Sequence, residues 1–352
     1  MKTIYYINTL RTIATLAVVF LHTGAGIFET KHFPIHDITY NTYNLYIQLM
    51  RFSVPLFVLI SGALFLSPNK NINFNLITKK YVKRIILALI VFGLPMCIIE
   101  ELFTNAHEMP LWHALINWIT GNSWANMWYL YMLIGLYFTT PLIKPFTNNA
   151  SNKDLIICLI ILFILSSLLP TLQAYGININ SYMLIGTPYI FIYILGYYIQ
   201  WRMIVNKKDI PILFIFLLIC IFFIFFRVNN EIKYVGYMDP ITIAVATLLF
   251  IICKTIDINW KFANFLSPYC FSIYLVHTIF TNFLYKGLKI EITDYFPVSY
   301  GQPIFFTGII ISSFILSYFM YKIPILKKNV TIQNWRIDYH VSFPYLRAKL
   351  KT

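Results

Sequence analysis

Charge is what this chain lacks most. Only 11% of its 352 residues are charged and 59% are hydrophobic, whereas soluble domains carry about 25% charged residues. That balance excludes a soluble enzyme or a disordered chain, and the length excludes a single-span anchor. Acidic groups are scarcer still, 13 against 27 basic ones. None falls deep in an apolar run: Glu100, Glu101 and Asp239 stand at run ends. Proton-driven pumps usually carry buried carboxylates, so that class is disfavoured. The five cysteines (Cys97, Cys158, Cys220, Cys253, Cys270) are odd in number, have no CxxC spacing and lie in or beside apolar runs. They read as small core residues, and neither disulfides nor a metal site is expected. No internal repeat or low-complexity tract stands out.

Apolar runs are abundant. Ten occur, at about 4–28, 43–66, 85–102, 127–143, 155–171, 182–200, 210–226, 239–253, 265–285 and 303–323. At roughly 20 residues per transmembrane helix they fill the chain with one membrane domain, 1–323, and a basic tail, 324–352. The first run is too long for a signal-peptide core and reads as a retained helix. With the N-terminus inside, twenty lysines and arginines fall on cytoplasmic segments, five on outer loops, and Arg11 and Arg51 within spans. This alternation satisfies the positive-inside rule. The expectation is an all-α, multi-pass cell-membrane protein with about ten transmembrane helices and both termini cytoplasmic. The net charge of +14 then follows from topology, and no nucleic-acid partner is needed. Residues 101–125, with Trp112, Trp118 and Trp124, read as an outer loop lying at the interface, where tryptophan is enriched. The tail, with Trp335, Tyr339 and Tyr345, suits anionic inner-leaflet lipid.

A charge at the bilayer centre costs at least about 2.5–3.5 kcal/mol, so each intramembrane ionisable group is a functional hypothesis. Four qualify: Arg11, His22, Arg51 and His277. Arg11 and His22 are eleven residues apart, which at 100° per residue puts them about 20° from alignment on one helix face and about 16 Å apart along its axis. Asn8, Thr15 and Gly26 lie close to that face. Arg11 falls in the inner third and His22 in the outer third, a polar stripe that suits a long ligand. Arg51 falls near the depth of His22, and Pro55, four residues later, should disturb the backbone hydrogen bonding around it. Arg51 then either serves a site or snorkels to the outer headgroups. Ser61 and Gly62, near the inner end of that span, read as small residues that allow close helix approach.

Residues 8–22, NTLRTIATLAVVFLH, contain the R-x10-H pattern of the first helix of the membrane acyltransferase type 3 family. Residues 51–66, RFSVPLFVLISGALFL, are similar to that family's second helix, and WYLYMLIGLYFTTP (128–141) and SIYLVH (272–277) resemble its later motifs. The resemblance spans the membrane domain. It implies O-acylation of extracytoplasmic glycans or lipid-linked sugars, commonly with acetyl-CoA as donor and without a bound cofactor. It further implies the subgroup without a fused esterase-like domain, which modifies exopolysaccharide, cell-envelope lipid or glycolipid. Within the last motif, Ser272, Tyr274 and His277 would stand behind the catalytic residues. For His277, plain helix–helix hydrogen bonding is the other open reading.

The chemistry points the same way. Transfer from a thioester to a sugar hydroxyl needs a base, and histidine titrates near the operating pH. His22 is the candidate base. Arg51 is the candidate to hold the thioester carbonyl or oxyanion, or an acidic acceptor. Arg11 cannot act as a base and suits charge pairing with phosphate or steering of the donor. The inner loop 78–84 carries Lys80, Lys83 and Arg84, which either bind the donor's phosphates or only set topology. Two rival classes remain: a translocator of polysaccharide or lipid-linked intermediates, and a membrane sensor or assembly subunit. Acceptor, acyl group and oligomeric state are not written in the sequence.

Overall fold

The computed structural model describes residues 4–25, 37–103, 109–122, 126–180, 188–232, 236–324 and 326, and among these all regular structure is helical. Twelve helices matter here. In chain order they are α1 (Tyr5–Ala25), α2 (Ile38–Met50), α3 (Ser53–Phe65), α4 (Phe74–Leu102), α5 (Pro110–Thr120) and α6 (Trp128–Asn149). There follow α7 (Asn152–Ala174), α8 (Tyr189–Trp201), α9 (Ile210–Asn229), α10 (Pro240–Ile256), α11 (Lys261–Gly287) and α12 (Val298–Lys322). Five helices are long and apolar enough to cross a membrane among the described residues: Ile38–Phe65, Phe74–Leu102, Asn152–Ala174, Lys207–Asn229 and Val298–Lys322. A sixth candidate joins α10 and α11, which meet at a bend of 108°. The protein is an integral-membrane protein. Its tail beyond Leu326 lies outside the described residues, as do Gly26 and Trp124.

Two features of the helices bear on the site. First, the helix Ile38–Phe65 breaks at Arg51-Phe52, between α2 and α3. Pro55 has no N–H to return to the Arg51 carbonyl, so the regular ladder resumes only at Leu56, which donates to Phe52 O at 2.9 Å. Second, the segment carrying Trp118 forms a helix of its own. Pro at the first helical turn and left-handed Gly121 at the end bound α5, and this helix packs back along α4. Trp118 donates from its indole nitrogen to Leu89 O at 3.0 Å, and Asn117 donates to Glu101 at 2.9 Å. Leu89 is thirteen residues short of Leu102, about 20 Å along the axis. A π-type turn at Leu89–Gly93 lets that carbonyl receive the Leu94 N–H as well. Trp112 is exposed, as an interfacial residue would be.

Polar contacts between helices sort into two ends. At one end Arg202 donates to the Thr147, Asn148 and Ala150 carbonyls, Lys254 to Ile199 O, Trp201 to Ala63 O and Asn8 to Asn264. At the other, Glu100 pairs with Lys286, Arg227 with Asp239, Tyr46 donates to Ser299 O and Tyr285 to Thr23 O. Between them lies a core of apolar and aromatic side chains in which α3 and α8 cross at backbone contact. A Cβ on Gly62 would overlap the Tyr193 carbonyl, and one on Gly196 the Leu59 carbonyl. The small-residue reading of Gly62 holds, and α8 is the helix it admits.

Candidate active site

α1 carries Arg11 and His22 on nearly one face, but they meet different neighbours. His22 Nδ1 lies 2.9 Å from His277 Nε2, joining the last turn of α1 to the middle of α11. The ring centroids are 5.1 Å apart and the planes 23° apart. With nitrogens at 2.9 Å this is an edge-to-edge contact, as a hydrogen bond requires. His277 is fully buried, and its Nδ1 lies 3.2 Å from Ile273 O, one turn back. A carbonyl can only accept, so Nδ1 of neutral His277 carries the proton and Nε2 offers a lone pair. His22 must then donate from Nδ1, which leaves His22 Nε2 unprotonated. The pair therefore makes Nε2 the basic nitrogen of neutral His22.

Arg11 lines a cavity with one side along α3. Phe57, Ile60, Ser61, Leu64 and Phe65 contribute to it at spacings of three and four, one helical stripe about 12 Å long. Tyr81, Arg84 and Ile85 of α4, Tyr129 and Tyr137 of α6, and Cys270 and Tyr274 of α11 are also among its lining. About 970 Å³ of space lies within it, its open mouth included. Ser61, Tyr129 and Tyr137 line it together, and Cys270 sits 3.8 Å from Thr12 Oγ1. The Tyr274 ring is the link to the histidines, 5.9 Å from His277. Its hydroxyl donates to Asn126 O, while Asn126 Nδ2 donates to Tyr274 O at 3.1 Å. That two-way clasp holds Tyr274 between the cavity and the His22–His277 pair.

The remaining candidates are spread. Arg51, at the α2–α3 break, lies 5.7 Å from the centre of the Tyr237 ring, which in turn packs on Trp128 at 5.5 Å. Ser272 turns its hydroxyl to Tyr269 O, inside its own helix, and does not reach the pair. Lys80 sits 5.5 Å over the Tyr81 ring and Arg84 lines the cavity, while Lys83 is exposed. Lys83 follows Tyr81 by two residues, about 200° round a helix, so it faces away from the cavity. Sequence reasoning passed over Lys70, whose ammonium lies 4.7 Å from the Phe65 ring and 4.9 Å from that of Tyr81, two cavity residues. Its signal was position: it is the first cation after the second apolar run.

A family model describing an acyltransferase domain matches residues 4–322. The chain belongs to the acyltransferase 3 family. The match takes in His22, His277, Arg11, Arg51, Arg84 and the whole cavity. The family supplies the activity, membrane O-acyl transfer, and the geometry of this acyltransferase supplies an imidazole joined through His277 and Tyr274 to an arginine-lined cavity. No curated protein and no solved structure matches the chain.

Proposed function

We propose that this protein is an O-acetyltransferase of the cell membrane that moves an acyl group from cytoplasmic acyl-CoA to a hydroxyl of an extracytoplasmic glycan or lipid-linked sugar. In this reading ten spans place both termini in the cytoplasm, and the two sets of end contacts are the two membrane faces. The observation that carries it is the relation of the cavity to the histidine pair. Arg84 and Arg11 stand along a slot lined by aromatic and aliphatic side chains, which suits a donor with phosphates at one end and a thin arm. Tyr274 of the slot's lining lies beside His277, which in turn holds the imidazole of His22, the one able to take a proton.

His22 Nε2 removes the proton from the acceptor hydroxyl as the oxygen attacks the thioester carbon. The tetrahedral intermediate collapses with loss of the CoA thiolate, and the imidazolium returns the proton to that sulfur. His277 acts as a positioning residue, accepting the His22 Nδ1–H and stabilising the imidazolium in passing. Arg11 lies within the slot, where it steers the donor. Arg51, stacked toward Tyr237 and Trp128, is placed to receive an acidic acceptor, since aromatic faces and a cation together suit a charged sugar.

The test is transfer itself. Purified protein in nanodiscs, given labelled acetyl-CoA and crude envelope glycan, should move label to glycan. Lipid or glycan translocation in liposomes with no label transferred would overturn this reading in favour of a translocator.

A further inference from the structure

The cations at the cavity mouth are arranged around a side chain that the acyltransferase motifs do not include. Lys70 lies in the loop between α3 and α4, its N–H bonded to Ser67 O at 3.2 Å. Its ammonium rests against Phe65 and Tyr81, whose rings meet edge-on with centroids 4.8 Å apart. Both rings also line the cavity, so Lys70 sits on the outer side of the cavity's own wall. Lys80 lies over the same Tyr81 ring, and Arg84 of the lining acts on that tyrosine too. Lys144 comes from the inner part of α6 and donates to the Ser67 and Leu66 carbonyls, which close the end of α3. Four cations from a loop and two helices thus converge on one rim. Gathering like charges in a partly buried place is unfavourable, and an anion at the rim reverses the sign of that interaction.

We propose that this rim is a phosphate-binding site in which Lys70, held between Phe65 and Tyr81 and flanked by Lys80 and Arg84, takes the phosphate end of the acyl-thioester donor. The assignment rests on the acyl-CoA reading above and specifies its donor contact. The cation–π shelf restrains a long side chain, so less rotamer freedom remains to be lost when a phosphate arrives. Burial and the like charges of Lys80 and Lys144 push the Lys70 ammonium down to about 8. A lysine so lowered is charged below that pH and neutral above it. Donor affinity should therefore fall between pH 7 and 9, with Lys80, Lys144, Arg84 and Tyr81 as the other ionisable groups facing the rim.

The experiment is calorimetric titration of CoA into the full-length protein in phosphatidylcholine nanodiscs. Charge-assisted hydrogen bonds contribute about 1.5–3 kcal/mol, so Lys70→Ala should weaken CoA binding about tenfold or more. Lys208→Ala, an exposed cation on the same end of the bundle, should leave it unchanged. Lys70→Arg should keep the affinity and lessen its loss between pH 7 and 9, because guanidinium stays protonated, and Lys144, which burial also pushes down to about 8, carries the remainder. This second variant carries the test if Lys70→Ala does not fold. Wild-type CoA binding that Lys70→Ala leaves intact, or a pH dependence that Lys70→Arg leaves undiminished, overturns the site and spares the acyltransferase reading. The site also falls if Lys70→Ala alters only the response to added phosphatidylglycerol, for the anion would then be a lipid headgroup. Absence of CoA binding and of acyl transfer in the wild type overturns both.

Discussion

The imidazole pair turns a residue pattern into a chemical state. A histidine on a polar helix face could carry its proton on either nitrogen, and the choice decides which nitrogen is the base. Here Ile273 O decides, through His277, which nitrogen of His22 is bare. His22→Ala should leave the protein folded and reduce turnover by the general-base contribution, about 10²–10⁴-fold. In the wild type, kcat/KM should fall on the acid side as His22 gains its proton, and this limb should vanish in His22→Ala. His277→Ala removes one neutral hydrogen bond worth about 0.5–1.5 kcal/mol, so kcat should fall about two- to tenfold with the KM for acetyl-CoA unchanged. His277→Gln offers a carbonyl oxygen to the same Nδ1–H and should recover most of the loss. Equal defects in the alanine and glutamine variants would refute the positioning role. The shared face of Arg11 and His22 was legible from their spacing alone. Their separation into a cavity residue and a member of a pair was not, because both partners, Tyr274 and His277, come from a helix some 250 positions away.

Elements were legible where the backbone itself imposes a consequence. Pro55 forces a break one turn earlier, and the break stands at Arg51-Phe52. Gly62 beside Ser61 suggests close approach, and α8 crosses there through its own Gly196. What spacing could not supply is the path of α5, since three tryptophans near an apolar run mark an interface equally well whether the segment lies flat or turns inward. The hydrogen bond from Trp118 to Leu89 O is a tertiary fact. The crossing of α3 and α8 matters to the site because α3 furnishes one wall of the cavity. Gly62→Ala should force the two backbones apart, and overpacking typically costs about 1–3 kcal/mol. Gly308→Ala is the matched control, since nothing lies within 4 Å of a Cβ placed there. Melting followed by fluorescence-detected gel filtration should show a clear loss for Gly62→Ala and little change for Gly308→Ala. Equal melting temperatures would mean that the crossing yields without cost.

On the scale of the whole molecule, the distribution of lysine and arginine and the pattern of contacts are two separate lines of argument. The first comes from sequence: twenty basic residues fall on segments of one side and five on the other. The second uses hydrogen bonds, and it groups Asn8, Ala63, Ser67, Thr147, Ile199, Arg202, Lys254 and Asn264 at one end. Thr23, Tyr46, Glu100, Arg227, Asp239, Lys286 and Ser299 gather at the other. Every residue in the first group lies on or beside a segment assigned to the cytoplasm, and every one in the second on or beside an outer loop. A span missing from the count would put later members of each group at the wrong end. Single cysteines at Ser299 and Lys153, in a protein whose own five cysteines are replaced by alanine or serine, therefore test the arrangement directly. With a membrane-impermeant maleimide on intact cells, Ser299→Cys should react and Lys153→Cys should react only after the membrane is opened. Labelling of Lys153→Cys from outside would invert the protein and put the Lys70 rim on the wrong side of the membrane for cytoplasmic acyl-CoA. Labelling of both from outside would break the alternation between residues 153 and 299, and with it the ten-span count.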